Sequence, residues 1–153
     1  MAEMSKELKE ALGSDCAHSL EDIMAAKKPG DFSALQGLLT MDPSVDPETR
    51  SKALHLLGRW GDPKAVPAIV KILPELDEVG RCRAIDALGR LGTKEGFGAI
   101  VDYTNDTSAS VRKFVVYALS KDKAAATKKK LKEIEDKDPQ PFIRDLARSQ
   151  RQH

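Results

Sequence analysis

The sequence predicts an all-α solenoid of about five antiparallel helix pairs stacked side by side. Three observations predict it. The stretch Glu48–Asp62 returns 31 positions on as Val79–Thr93 and again, more eroded, as Ser110–Lys121; arginine keeps its register at Arg50, Arg81 and Arg112, and leucine at Leu57, Leu88 and Leu119. A second apolar pattern interleaves with the first at the same period, in the series Leu38, Ile69, Ile100, Leu131. Between the two patterns stand turn formers, Gly61, Asp62 and Pro63 in one unit and Gly92 and Thr93 in the next. Glycine there can take the left-handed conformation at a helix end, and proline suits the first turn of the helix that follows.

Taken in order, residues 3–12 form a short helix that Gly13 and Ser14 end. Asp15 can cap the next helix by accepting from open first-turn amides. That helix carries Leu20, Ile23, Met24 and Lys27 and stops at Pro29 and Gly30. Asp31 opens the first periodic short helix, with Leu35, Leu38, Leu39 and Met41; its equivalents carry Val66, Ile69, Val70 and Ile72, then Phe97, Ile100, Val101 and Tyr103. In the last copy Lys128 and Lys132 replace two of the four apolar positions beside Leu131 and Ile134. Offsets of three and four put each set on one helix face. The longer helix of each pair carries the arginine, alanine and leucine register. Lys123 takes the glycine position of the third turn, which predicts a tighter or strained turn there. A final helix over about residues 140–150 carries Phe142, Ile143, Leu146 and Ala147. Residues 1–153 read as one domain, with 1–30 and 124–153 as capping pairs around core repeats 31–123.

With 41% hydrophobic and 32% charged residues the composition is that of a soluble folded chain, and a net charge of +1 leaves any anion-binding role to a local patch. Two cysteines, Cys16 and Cys82, without a CxxC pattern fit a reducing compartment, and no apolar run is long enough for a membrane span. The expectation is a cytoplasmic protein, monomeric, without cofactor or metal.

At Arg81, Ala84, Ala87, Leu88, Gly89, Leu91 and Gly92, and at Arg50, Ala53, Leu57, Gly58, Asp62, Pro63, Ala65, Val66 and Ile69, the chain resembles the HEAT-repeat family, in the short variety found in phycobilin lyase subunits. The third copy keeps Val111, Arg112, Ala118 and Leu119; the fourth keeps Ile143, Arg144 and Ala147. The resemblance implies a right-handed stack with the arginine-bearing helices on the concave face. It also implies that each motif arginine pairs with the aspartate before it, Asp46, Asp77, Asp106 and Asp138 serving Arg50, Arg81, Arg112 and Arg144. This ladder reads as structural.

Setting aside the apolar and small positions leaves exposed rows on the longer helices: Arg59, Arg90, Lys121; His55, Asp86, Tyr117; Lys52, Arg83, Phe114; and Ser51, Cys82, Lys113. Stacking brings each row together across a groove with six basic residues, two aromatics and one central acid. Such a groove suits an extended acidic or phosphorylated segment of another protein, because arginine and lysine supply charge-assisted hydrogen bonds and Phe114 and Tyr117 supply apolar contact. The bland alternative is that these are the solvated faces of amphipathic helices, with Phe114 packed between repeats. A second basic run, Lys121, Lys123, Lys128, Lys129, Lys130 and Lys132, fits the polar outer face of a terminal repeat. Nucleic acid is the alternative ligand for both, and a bilin-lyase subunit is a further alternative resting on the repeat subtype alone.

Enzymatic readings fail on the residues. His18, His55 and His153 form no metal-ligand spacing and none precedes glutamate, whereas iron hydroxylases built on similar repeats use His-Glu pairs. Asp15, Cys16 and His18 put mixed ligands on one turn without a second pair. Gly96, Phe97 and Gly98 make no phosphate-binding loop. Cys82, between Arg81 and Arg83, would have a depressed pKa if exposed. Trp60 stands at the register of Leu91 and reads as core.

Overall fold

A computed structural model of the chain describes residues 3–13 and 27–153. The helix expected from Asp15 onward, and the ligand group Asp15, Cys16 and His18, lie outside the described residues. All regular structure in the described residues is helical: α1 (Lys6–Gly13), α2 (Asp31–Gly37), α3 (Pro47–Trp60), α4 (Val66–Ile72), α5 (Glu78–Leu91), α6 (Lys94–Val101), α7 (Ala109–Leu119), α8 (Ala125–Lys137) and α9 (Pro141–Arg151). Single 3-10 turns, Pro63–Ala65 and Leu73–Glu75, flank α4.

The long helices start where a side chain can satisfy open amides. Asp46, Asp77 and Ser108 accept from the amides of Thr49, Gly80 and Val111 at the starts of α3, α5 and α7. α3 and α5 end in Gly61 and Gly92, with φ of 71° and 68°. No non-glycine described residue has positive φ, so the turn holding Lys123 is not strained as expected. Its geometry comes from Asp122, whose carboxylate accepts from the Ala124 amide and the Thr127 hydroxyl. The first short helix is shorter than the pattern suggested: it ends at Gly37, and Met41 lies beyond it, exposed.

α3 packs on α5, α5 on α7, and α7 on α9, while α4 packs on α6 and on α5, and α6 on α7. The long helices form one layer and the short ones a second. Leu57, Ile85, Leu88, Val116 and Leu119 are wholly buried between them, as are Ile69 and Ile100. Trp60 is buried, as its register predicted. Within the first layer the approach is set by small residues. A Cβ placed on Gly58 would stand 2.9 Å from the Ala87 Cα, and one on Gly89 would stand 2.8 Å from the Ala118 Cβ. The glycine that follows the register leucine, Gly58 after Leu57 and Gly89 after Leu88, is therefore the contact surface for the alanine one repeat on.

The arginine ladder forms with a different partner from the one expected. Arg81 pairs with Asp106 (3.0 Å) and Arg112 with Asp138 (2.8 Å), each aspartate belonging to the following repeat. The aspartate before each arginine is occupied otherwise. Asp46 and Asp77 cap their own helices, and Asp106 and Asp138 offer their main-chain carbonyls to Arg112 and Arg144. Arg50 donates to the Thr40 and Val45 carbonyls and pairs with no aspartate among the described residues. Each of Asp106 and Asp138 thus joins two arginines of successive repeats, one through its carboxylate and one through its carbonyl. Arg112 and Asp138 are both buried, so removal of either would leave an uncompensated charge.

Polar contacts also fasten the first and last described helices to their neighbours. At the start, the buried Asp31 carboxylate accepts from the Ser5 amide (2.8 Å), the Ser5 hydroxyl (2.7 Å) and the Lys28 amide (2.8 Å), docking α1, whose Leu8 is wholly buried. At the other end Arg148 and Arg151 occupy the register of Val116 and Leu119 and reach the buried Glu135 of α8 (3.4 and 2.7 Å). Two positions that are apolar in α7 thus carry charge in α9 and meet a carboxylate of α8.

Candidate functional site

The exposed rows lie on α3, α5 and α7, the three helices joined by the glycine–alanine seams, with Lys121 in the turn just past α7. Arg59, Arg83, Arg90, Lys113, Tyr117 and Lys121 are exposed, His55 and Asp86 half-buried. Arg90 does not simply project outward. Its Cδ lies 3.7 Å from the position a Gly58 Cβ would take, so its stem crosses the seam onto α3, next to the residue that precedes Arg59. Its guanidinium is held by Asp86 of its own helix at 3.0 Å.

The electrostatics show the same convergence. Partial burial and the positive charges of Arg59, Arg83 and Arg90, opposed by Asp86, hold the His55 pKa below its ordinary 6.5, so its imidazole is neutral at pH 7. Partial desolvation, with Arg90 and Arg59 nearby and Asp86 opposing them, lowers the Lys121 pKa. A cation in the turn after α7 and a histidine on α3 thus feel Arg59, Arg90 and the same carboxylate. Among the described residues a local excess of positive charge surrounds one acid, Asp86, and such a concentration of like charge gains from binding an anion.

Three residues of the expected groove serve other purposes. Lys52 donates to the Leu12 carbonyl at 2.9 Å and pairs with Glu48 at 3.1 Å, fastening the C-terminal end of α1 to α3. Phe114 is half-buried and packs against the core, as the bland reading anticipated. Cys82 is buried, and burial together with Glu78 raises its thiol pKa, which removes the activation that exposure would have given. Of the lysine run, Lys130 pairs with Glu133, and Lys132 with Glu135 and Asp136, while Lys123, Lys128 and Lys129 are exposed.

Two features had no place in the sequence reading. The passage of Arg90 over Gly58 was missed, although the absence of a side chain at that register is its visible signal. A cleft of about 620 Å³ opens between α6 and the start of α8, lined by Phe97, Val101, Ala126 and Thr127 with Lys94 and Lys130. Its one acid, Asp122, is already bonded within its own turn. Among the described residues no group of three histidine, cysteine or acidic side chains is placed to hold a metal ion, and no helix is long and apolar enough to cross a membrane.

No curated protein matches the chain at significant similarity. A family model for HEAT repeats matches residues 68–150, more than half of the chain, and spans α5 to α9 together with most of α4. The matched segment contains the inter-repeat pairs Arg81–Asp106 and Arg112–Asp138 and the Gly89–Ala118 seam, all in repeating register. The chain belongs to the HEAT-repeat family.

Proposed function

We propose that the protein is a non-enzymatic scaffold that holds an extended, acidic segment of another protein along the exposed face of α3, α5 and α7. HEAT repeats are generally protein-interaction scaffolds, and stacked helical repeats create extended surfaces along which a partner can run. The observation that carries the acidic preference is the crossing of Arg90 onto Gly58, which gathers basic side chains of successive repeats around the single carboxylate of Asp86. Arg59, Arg90 and Lys121 set the charge preference, Arg83 and Lys113 extend it, and Tyr117 offers an exposed aromatic surface beside them. Lys52 and Phe114 act indirectly, by fixing α1 and the packing of α7.

The test is capture from nuclease-treated extract of the source cells by the natural protein and by a variant carrying Arg59→Glu, Arg90→Glu and Lys121→Glu. All three sites are exposed, so the fold should persist. A protein retained by the first and lost by the second supports the reading. Equal capture by both moves the binding surface elsewhere, and capture that disappears with nuclease treatment replaces the protein partner with nucleic acid.

A further inference from the structure

We propose that this face recognises a phosphomonoester on the bound segment, a phosphoserine or phosphothreonine held by Arg59, Arg90 and Lys121, with His55 beside them and Asp86 as the resident counter-ion that the phosphate displaces. The inference rests on the scaffold reading above and names the chemistry of its charged subsite.

The number and origin of the charges argue for phosphate over carboxylate. Arg59, Arg83, Arg90 and Lys121 come from α3, α5 and the turn after α7, and among the described residues the one acid beside them, Asp86, engages Arg90 alone within ion-pair distance. A single carboxylate from a partner would repeat what Asp86 already does and leave the excess in place. A phosphomonoester carries roughly −1.5 to −2 charge at neutral pH and three acceptor oxygens, enough to engage donors from several directions. Guanidinium forks suit that geometry better than ammonium groups, and two of the three proposed contacts are arginines. Arg90 reaches this position because its stem crosses the seam between α5 and α3, its Cδ 3.7 Å from where a Gly58 Cβ would stand.

His55 fits the same reading. Because burial and the arginines keep it neutral, it adds no further repulsion to the empty cluster. Its ring can donate to a phosphate oxygen, and the bound anion would offset the arginines and raise its pKa. Tyr117, 40% exposed in the same row as His55 and Asp86, favours a peptide chain around the phosphate over a bare anion. The compactness of the cluster, in a chain of net charge +1, suits one phosphate better than a repeating nucleic-acid backbone.

The experiment uses the full chain and two fluorescent peptide pools with randomised flanks, identical except for central phosphoserine or glutamate, with the His55 resonances followed by NMR. The expected result is at least about tenfold tighter binding of the phosphoserine pool, a rise in the His55 pKa on binding, and loss of the preference in Arg59→Gln and in Arg90→Gln while their Tm stays unchanged. Asp86→Asn should tighten binding of the phosphoserine pool. Equal, Arg90-dependent affinity for both pools overturns the phosphate inference and leaves the acidic-segment reading standing. Absence of binding to either pool overturns both. Free O-phosphoserine binding as tightly as the pool would overturn the protein-segment assignment in favour of a small phosphate ligand, and tighter binding of a single-stranded oligonucleotide would overturn it in favour of nucleic acid.

Discussion

Alanine at position 89 should destabilise the protein, although alanine is the better helix former. A Cβ there would stand 2.8 Å from the Ala118 Cβ and 3.0 Å from the Ala118 Cα, where carbon atoms normally rest about 3.5–4.0 Å apart. The second contact is with backbone, so no rotamer change can relieve it; α5 and α7 must separate. Overpacking of this kind costs about 1–3 kcal/mol. The intrinsic gain from replacing a helical glycine by alanine is about 0.5–1 kcal/mol, so the net change is a loss of up to about 2.5 kcal/mol. Gly98, exposed in α6 with nothing within 4 Å of its would-be Cβ, isolates the intrinsic part: Gly98→Ala should stabilise by about 0.5–1 kcal/mol. Urea unfolding followed by far-ultraviolet circular dichroism measures both variants, with an unchanged slope as the check that the unfolded state is the same. The two Tm values should fall on opposite sides of the parent's, at roughly 2–4 °C per kcal/mol for a chain of this size. If Gly89→Ala matches Gly98→Ala in stabilising the protein, the helices do not meet at this seam and the close packing inferred for the layer of long helices is refuted.

Three further outcomes follow from the ladder, the C-terminal closure and the cationic face. Asp138→Ala should cost about 3–5 kcal/mol in urea unfolding because it strands the buried Arg112, whereas Asp136→Ala, at an exposed pair with Lys132, should cost no more than about 1 kcal/mol. The hydrogen bond from Arg151 holds the Glu135 carboxyl below its ordinary 4.5, so below that pH the unfolded chain binds a proton that the native chain does not. The stabilisation from this pair is full above 4.5 and is lost as pH falls through the depressed native value; Glu135→Gln should remove that part of the acid slope in Tm against pH, and an unchanged slope would exclude it. In an NMR titration, Asp86→Asn should lower the His55 pKa further and Arg90→Gln should raise it, since the carboxylate and the guanidinium act on it in opposite directions.

Periodicity in a solenoid is legible because each repeat touches its neighbours at a fixed sequence offset, so an equivalence in sequence becomes an equivalence in contact. The helix pairs, the burial of Leu57, Leu88 and Leu119, and the glycine turns at Gly61 and Gly92 followed from that offset, and the motif residues around Arg81, Ala87, Leu88 and Gly89 carried the resemblance to the family. The exposed rows on α3, α5 and α7 were legible for the same reason. Decisions between two partners within reach of one long side chain were not. Arg81 had Asp77 nearby in sequence, but the Gly80 amide claims that carboxylate, and the stacking of repeats brings Asp106 to Arg81 instead. Lys52 stood in a groove row until α1 returned across forty residues to offer the Leu12 carbonyl. Arg148 and Arg151 occupied apolar register, and only the packing of α9 on α8 supplied Glu135 as the reason. The sequence by itself determined the period, the two layers and the face that carries charge, because those depend on spacing along the chain. Tertiary structure alone decided which charges neutralise one another and which remain available, because a flexible side chain of several ångströms selects its partner by what the neighbouring backbone places within reach.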